Sequence, residues 1–215
     1  MITLSDDKPG YISADAYSVS RQVGGVSIGY VPLIFKDSEG SIVLTANKSG
    51  IGRHATLVDQ NGQKVGEVQK KGISLGSSAK YQFFDGSGTQ IGQVVVRTSL
   101  MGMNELIQMQ DPSGAPVASA SGNFAGFNYQ IFDADGKKVL ARIYRDTKQN
   151  QQGGGLKGLL ANIASATISM AIGAYKVEIL EKSINDMSRL FILELIVVLD
   201  DMYQPNQGAG ATFDI

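Results

Sequence analysis

One four-residue pattern recurs along this chain and constrains its fold more than any other feature. Aspartate, two variable residues and glycine occur together five times, and successive aspartates are 22, 26, 26 and 22 residues apart. In a tight turn the first-position aspartate caps the backbone with its carboxylate, and the fourth-position glycine adopts the left-handed conformation. Each copy is therefore predicted to be the tip of a β-hairpin. The five copies are Asp37–Gly40, Asp59–Gly62, Asp85–Gly88, Asp111–Gly114 and Asp133–Gly136.

The residues that flank these tips are typical of strands. The run Tyr81–Phe84 enters one tip and Ile91–Val96 leaves it, and both runs are rich in aromatic and β-branched residues. Five hairpins supply about ten strands, and a long antiparallel meander normally closes on itself to remove its edges. We therefore predict a mainly β fold, a closed antiparallel β-barrel of about 12 strands.

The side of the strands that faces the barrel interior is predicted to carry small residues. Counting from the repeats places Gly66, Gly92 and Ala118 on one face of their strands. The same face carries Val68, Val94 and Ala120, whereas Glu67, Gln69, Gln93 and Arg97 point the other way. Glycine inside a strand usually marks the close approach of something bulky, so we expect the lumen to be occupied.

The fifth repeat departs from this phase. Repeat counting would turn Leu140 and Arg142 inward, whereas the local alternation turns Val139, Ala141 and Ile143 inward. We follow the local alternation and attribute the difference to a β-bulge.

A single apolar helix near residues 186–203 is the predicted occupant. Asn185 is a capping residue, and Asp186 suits the positive end of the helix dipole. Within residues 190–199 only Glu194 is polar, so the helix is apolar on all sides. A membrane span needs about 20 such residues, which favours a buried core helix.

These elements divide the chain into three predicted parts. Residues 1–25 are an N-terminal extension or a first strand, 26–205 are the barrel with its central helix, and 206–215 are a flexible tail.

A barrel of hairpins around a C-terminal helix resembles the tubby C-terminal-like superfamily, which includes phospholipid scramblases and LURP-one-related proteins. The resemblance lies in the hairpin Tyr129–Arg145, the strand Tyr175–Ile179, and the segment Ser183–Tyr203 with its acidic and aromatic end. The chain lacks the proline-rich region and the cysteine run of the scramblases, and Glu181–Ile184 replaces their acidic calcium segment. The first ten residues do not have the pattern of a targeting signal, which favours a cytoplasmic location. The resemblance implies a protein that associates peripherally with a membrane and binds anionic phospholipid such as a phosphoinositide.

Composition and motifs give little support to catalysis. With no cysteine and one histidine, the chain cannot form a thiolate zinc site, an iron–sulfur cluster or a two-histidine metal motif. We interpret His54 as a structural histidine, Glu194 as a hydrogen-bonded buried carboxyl, and Gly153–Gly158 as a loop rather than a dinucleotide site. No enzyme activity, cofactor or metal is therefore expected.

Charge distribution gives the one functional lead that comes from the residues themselves. Residues 136–176 carry seven basic residues against Asp146 alone, although the whole chain has a formal net charge of −1. Within this segment, 156–163 places leucine and isoleucine at helical spacing beside a lysine, and basic residues next to apolar ones suit an anionic membrane surface. A solvated loop with a helix that plugs the barrel remains the alternative. The candidate lipid-binding residues are Lys137, Lys138, Arg142, Arg145, Lys148 and Lys157.

Three hypotheses about function remain open. The first is a non-enzymatic module for anionic phospholipid head groups at a membrane surface. The alternative is a structural or protein-interaction scaffold without lipid binding. A weaker alternative is lipid scrambling, which would need a membrane-inserted element. Nucleic acid is not an expected partner, because a nucleic-acid-binding domain is strongly basic.

Overall fold

The computed structural model describes residues 9–21, 32–49, 54–71, 78–98, 105–123, 128–145 and 175–203. These residues form twelve strands and two helices. The strands are β1 Ala16–Arg21, β2 Leu33–Lys36, β3 Ile42–Lys48, β4 His54–Asp59, β5 Lys64–Lys71, β6 Ser78–Asp85, β7 Gln90–Thr98, β8 Glu105–Gln110, β9 Pro116–Asn123, β10 Asn128–Asp133, β11 Val139–Arg145 and β12 Tyr175–Ile179. The helices are α1 Gly10–Ser13 and α2 Asp186–Tyr203.

The strands form a closed antiparallel barrel, as the repeats predict. Each strand from β2 to β12 pairs with its neighbours in the chain, and β1 closes the ring by pairing with both β2 and β12. At the closure Val19 lies opposite Tyr175 on one side and opposite Phe35 on the other.

All five predicted tips are hairpin turns with a shared hydrogen-bond pattern. In the second, a side-chain oxygen of Asp59 accepts hydrogen bonds from the Asn61 and Gln63 amides at 2.9 Å. The Gly62 amide donates to the Asp59 carbonyl at 3.0 Å. The glycine of every copy has a positive φ, between 71° and 92°, so the left-handed conformation is required at each tip.

In the fifth repeat the change in which residues face inward comes mainly from an extra turn residue, not from the β-bulge that the sequence suggests. A one-residue register shift occurs in all five hairpins, not only at Leu140. In the first four turns the aspartate amide donates to the carbonyl four residues later, but the Asp133 amide donates to Lys138, five residues later. One extra turn residue therefore changes the phase. Ala141 and Ile143 face the core as expected, whereas Val139 is only partly buried.

Helix α2 fills the barrel. All residues from 189 to 200 are buried, and they pack against the inward residues of the strands. The space for the helix depends on glycine: a Cβ atom at Gly66 would lie 2.6 Å from Glu194, and one at Gly92 would lie 2.7 Å from the Phe191 ring. The small inward residues therefore allow the close approach that the sequence predicts.

Side chains fix α2 at its N-terminal end. The Asn185 side chain accepts a hydrogen bond from the Ser188 amide at 2.7 Å, which confirms the predicted cap. Arg189 is buried and donates to the Ala14 carbonyl at 2.8 Å. Asp15 lies 3.4 Å from the same guanidinium group.

At the other end of α2 two aspartates occupy the last turn, where the helix dipole disfavours negative charge. The barrel wall compensates for them. Asp200 lies 2.9 Å from Arg21 of β1 and 2.7 Å from Lys48 of β3. Asp201 lies 3.0 Å from Lys70 of β5. These ion pairs connect the helix to three strands that are distant in the sequence.

Glu194 is the one polar residue within the apolar run of α2. It is fully buried, and one of its oxygens accepts a hydrogen bond from the Glu67 amide at 3.1 Å. The other oxygen has no partner among the described residues. Burial raises the pKa of Glu194 well above 4.5, so the carboxyl is protonated in the folded protein at low and moderate pH.

Neither described helix has the combination of length and apolarity that a membrane span requires. The predicted tail 206–215, the glycine-rich loop Gly153–Gly158 and the amphipathic segment 156–163 lie outside the described residues.

The first prediction tests whether α2 is part of the core. We expect Leu193→Asp, at a fully buried position, to lower the free energy of unfolding by several kcal/mol because it buries a charge in an apolar site. Met187→Asp is the matched control, because Met187 is 46% exposed in the first turn of the same helix. Denaturant unfolding measures both. A fragment 1–182 that unfolds cooperatively would contradict the prediction.

The second prediction concerns pH. Because folding raises the pKa of Glu194, its contribution to stability is complete below pH 4.5 and is lost as pH rises through the raised pKa. Glu194→Gln cannot ionise. We therefore expect the melting temperature of the variant, relative to wild type, to increase between pH 4.5 and pH 8. A difference that stays constant with pH would contradict a buried proton at this position.

Candidate functional site

The predicted cationic residues Lys137 and Lys138 lie at the tip of the β10–β11 hairpin, and both are exposed. Their amides donate to the Asp133 side chain at 2.8 and 3.2 Å, and these hydrogen bonds lower the pKa of that carboxyl. The Lys138 ammonium forms an ion pair with Glu181. The hydrogen bond from Lys138 is the main reason that the pKa of Glu181 falls to about 2. The positive charge of Lys138 is therefore offset locally.

Arg142 faces outward because the fifth turn has one extra residue. It lies opposite Gln130 of β10 and Glu178 of β12. The carboxylate of Glu178 accepts a hydrogen bond from the Tyr144 hydroxyl at 2.5 Å. The arginine thus stands on the outside of the barrel, with a carboxylate on the adjacent strand.

Two further cations share this side of the barrel. Lys176 faces outward on β12, and Lys36 faces outward on β2, both level with Ser18 of the intervening strand β1. We call the outward residues Arg142, Lys176, Lys36 and Glu178 the Arg142 wall. Sequence reasoning missed Lys36 because only closure of the barrel brings β2 close to β12.

The remaining predicted cations are described incompletely. The backbone of Arg145 ends β11 opposite Tyr175, and its side chain is not described. Lys148 and Lys157 lie outside the described residues. The assignment of these residues to a lipid-binding site stays a prediction.

A second set of outward cations lies on strands β5, β6 and β7. Lys71, Lys80 and Arg97 are all exposed. The strand alternation predicts that Arg97 points outward, but the sequence does not show that Lys80, on the other strand of the same hairpin, and Lys71, on the preceding hairpin, lie beside it. Inward positions repeat every second residue from Val68 on β5 and from Val94 on β7, so Lys71 and Arg97 fall on outward positions. This alternation is the sequence signal that could have identified them.

His54 and Glu194, the two titratable residues that the sequence draws attention to, have structural partners. The His54 ring lies 3.2 Å from the Glu67 carboxylate and 3.2 Å from the Thr56 hydroxyl. Glu194 is fully buried in the core. Among the described residues, no three histidine, aspartate or glutamate side chains gather as a metal site would require.

Neither of two spaces lined by described residues suits a lipid head group. The first, enclosed by Lys48, Lys70 and Asp201 at the C-terminal end of α2, has about 10 Å³, which is room for one water molecule. The second is a groove of about 510 Å³ between α1, two hairpin tips and the start of α2. Asp85, Asp186 and Lys64 line this groove, and because Lys64 is paired with Glu67 the groove disfavours an anion.

Comparison with known proteins agrees with this architecture. The sequence profile of the LURP-one-related family matches residues 27–200. The fold is similar to the X-ray structure of a protein from Arabidopsis thaliana, with a TM-score of 0.55 and 13% sequence identity, over 91% of this chain and 96% of that one. No curated protein matches the sequence. Because the family profile covers most of the barrel and α2, the chain belongs to the LURP-one-related family of the tubby-like superfamily.

Proposed function

We propose that this protein is a non-enzymatic module that binds anionic phospholipid head groups at a membrane surface. The observation that carries the proposal is that α2 fills the lumen while lysine and arginine side chains stand on the outside of the barrel. Such a molecule offers a ligand its outer surface rather than an interior cavity. Peripheral membrane contact uses surface cations in this way.

The Arg142 wall and the adjoining tip supply one such surface. The outward side chains described on β11, β12, β1 and β2 include three cations and one carboxylate. Lys137 extends this positive surface at the tip, and Leu180, whose amide donates to the Leu140 carbonyl of β11, is 44% exposed. Each suitably placed Lys or Arg contributes about 1 kcal/mol to binding an anionic membrane.

A protein-interaction scaffold is the second candidate. The groove at the start of α2 favours it, because the exposed Met187 and the buried Leu190 form apolar walls beside the acidic Asp85 and Asp186. A protein segment with an apolar side chain next to a lysine or arginine would fit this chemistry.

Vesicle cosedimentation tests the proposed function. We expect the wild type to pellet with phosphatidylcholine vesicles that contain phosphatidylserine and to stay in solution with phosphatidylcholine alone. Raising the salt should release it, because exposed charges are screened beyond about 8 Å at physiological ionic strength. A wild type that ignores anionic vesicles at low salt would contradict lipid binding and leave the scaffold candidate.

The predicted cations give a third prediction in the same assay. Reversing Lys137, Lys138 and Arg142 to Glu should weaken vesicle binding about tenfold rather than abolish it, because two of the three already face carboxylates. The three residues are exposed, but reversal at Lys138 and Arg142 sets like charges against Glu181 and Glu178, so the melting temperature should fall slightly. The corresponding Gln variant should bind with intermediate strength. Unchanged binding of the Glu variant would exclude these three residues from the membrane contact.

A further inference from the structure

The outward cations of β5, β6 and β7 form a surface that is distinct from the Arg142 wall. We call Lys71, Lys80, Arg97 and the neighbouring Leu106 of β8 the Lys80 wall. All four side chains are exposed, and each alternates along its strand with buried residues such as Tyr81 and Val96. They therefore point away from the lumen.

The register brings these cations close together. Lys71 and Lys80 are direct cross-strand partners, so their Cβ atoms are about 5 Å apart. Arg97 lies opposite Ser78, two residues from Lys80, which makes it a diagonal neighbour. Like charges placed directly opposite each other destabilise a sheet. The folded protein thus holds three positive charges at a cost to its own stability.

No carboxylate that the structure describes on these strands offsets the cations. On β6, β7 and β8, none of the outward side chains that the structure describes is acidic. The outward carboxylate of β5, Glu67, is bound to Lys64 at 2.5 Å and lies 3.2 Å from His54. It is also four residues from Lys71, about 13 Å along the strand.

The Arg142 wall differs in this respect. There Glu178 lies opposite Arg142 on the adjacent strand, and Glu181 pairs with Lys138 at the nearby tip. The Lys80 wall therefore presents the stronger uncompensated positive field of the two surfaces.

The Lys80 wall also combines charge with exposed apolar surface. Leu106 lies directly opposite Arg97 and is 53% exposed. Val95 and Phe84, also on outward positions of these strands, are partly exposed. Cations beside an exposed leucine suit the interface of an anionic membrane, where charges meet head groups and the apolar side chain enters the acyl boundary.

We propose that the Lys80 wall is the main contact between this protein and an anionic membrane, with Leu106 inserted at the interface. The inference rests on the proposed function and names the surface that performs it. In the ring of twelve strands β6 lies opposite β12. Contact through the Lys80 wall therefore leaves the Arg142 wall turned away from the bilayer.

Two charge-reversal variants of equal net charge compare the Lys80 wall with Arg142 and the adjoining hairpin tip. Reversing Lys71, Lys80 and Arg97 to Glu should weaken cosedimentation with phosphatidylserine vesicles on the order of 100-fold, which is about 1 kcal/mol per cation. Reversing Lys137, Lys138 and Arg142 to Glu changes the net charge by the same amount but should weaken binding at most about tenfold, because these residues are turned away from the bilayer and salt screens their charge. A Lys80-wall variant that binds no more weakly than the other would overturn the inference.

A fluorescence measurement gives a readout that does not depend on charge or on the folding of the triple variants. The chain has no tryptophan, so Leu106→Trp introduces a single reporter. Its emission should shift to shorter wavelength when anionic vesicles are added. Ile42→Trp is the matched control, because Ile42 is 48% exposed but belongs to β3, on a different side of the barrel, and its emission should not shift.

The outcomes separate the inference from the proposed function. If wild type pellets with anionic vesicles but Leu106→Trp emission stays unchanged, the Lys80 wall is not the membrane contact and lipid binding itself stands. The same result would direct attention to an acidic protein as the partner of this wall. If wild type does not pellet, the proposed function fails and the inference fails with it.

Discussion

The close packing of α2 inside the barrel is the interaction on which the rest of the structure depends. A closed ring of twelve strands encloses a space that must be filled, and α2 fills it. The helix fits because glycine stands at the positions of closest approach, Gly66 and Gly92, where a larger side chain would collide with it. The last turn of α2 carries Asp200 and Asp201, which are unfavourable there because they meet the negative end of the helix dipole. Cations from β1, β3 and β5 make that end stable, so helix and barrel each require the other.

This dependence also determines where function can reside. Because α2 occupies the lumen, the pocket beside Lys70 has space for only about one water molecule. Ligand contact is therefore expected on the outer side of the strands, whose alternation turns every second residue to solvent. The two walls named above differ in how far neighbouring carboxylates offset their cations. That difference ranks the Lys80 wall above the Arg142 wall as a surface for an anionic membrane.

Much of the fold could be predicted from the sequence, because its signals are local. The five Asp-to-Gly turns, the Asn185 cap and the apolar run of α2 each depend on residues a few positions apart. The proposed membrane-binding surface depends on register between strands that are distant in the sequence. The ion pair of Lys138 with Glu181 and the Lys71–Lys80 pair follow from strand pairing, which a single sequence does not specify. The sequence suggests a bulge rather than an extra turn residue before Lys138, because both change the phase by one.

The most direct test of the mutual dependence of helix and barrel is native-state hydrogen exchange. If α2 is part of a single core, its slowest amides, between residues 190 and 199, should exchange with the same opening free energy as the slowest amides of strands β4 to β7. That free energy should be the one for global unfolding. Adding denaturant should lower that free energy equally for both groups. Helix amides that exchange through a separate opening of lower free energy, while the strands stay protected, would contradict the account.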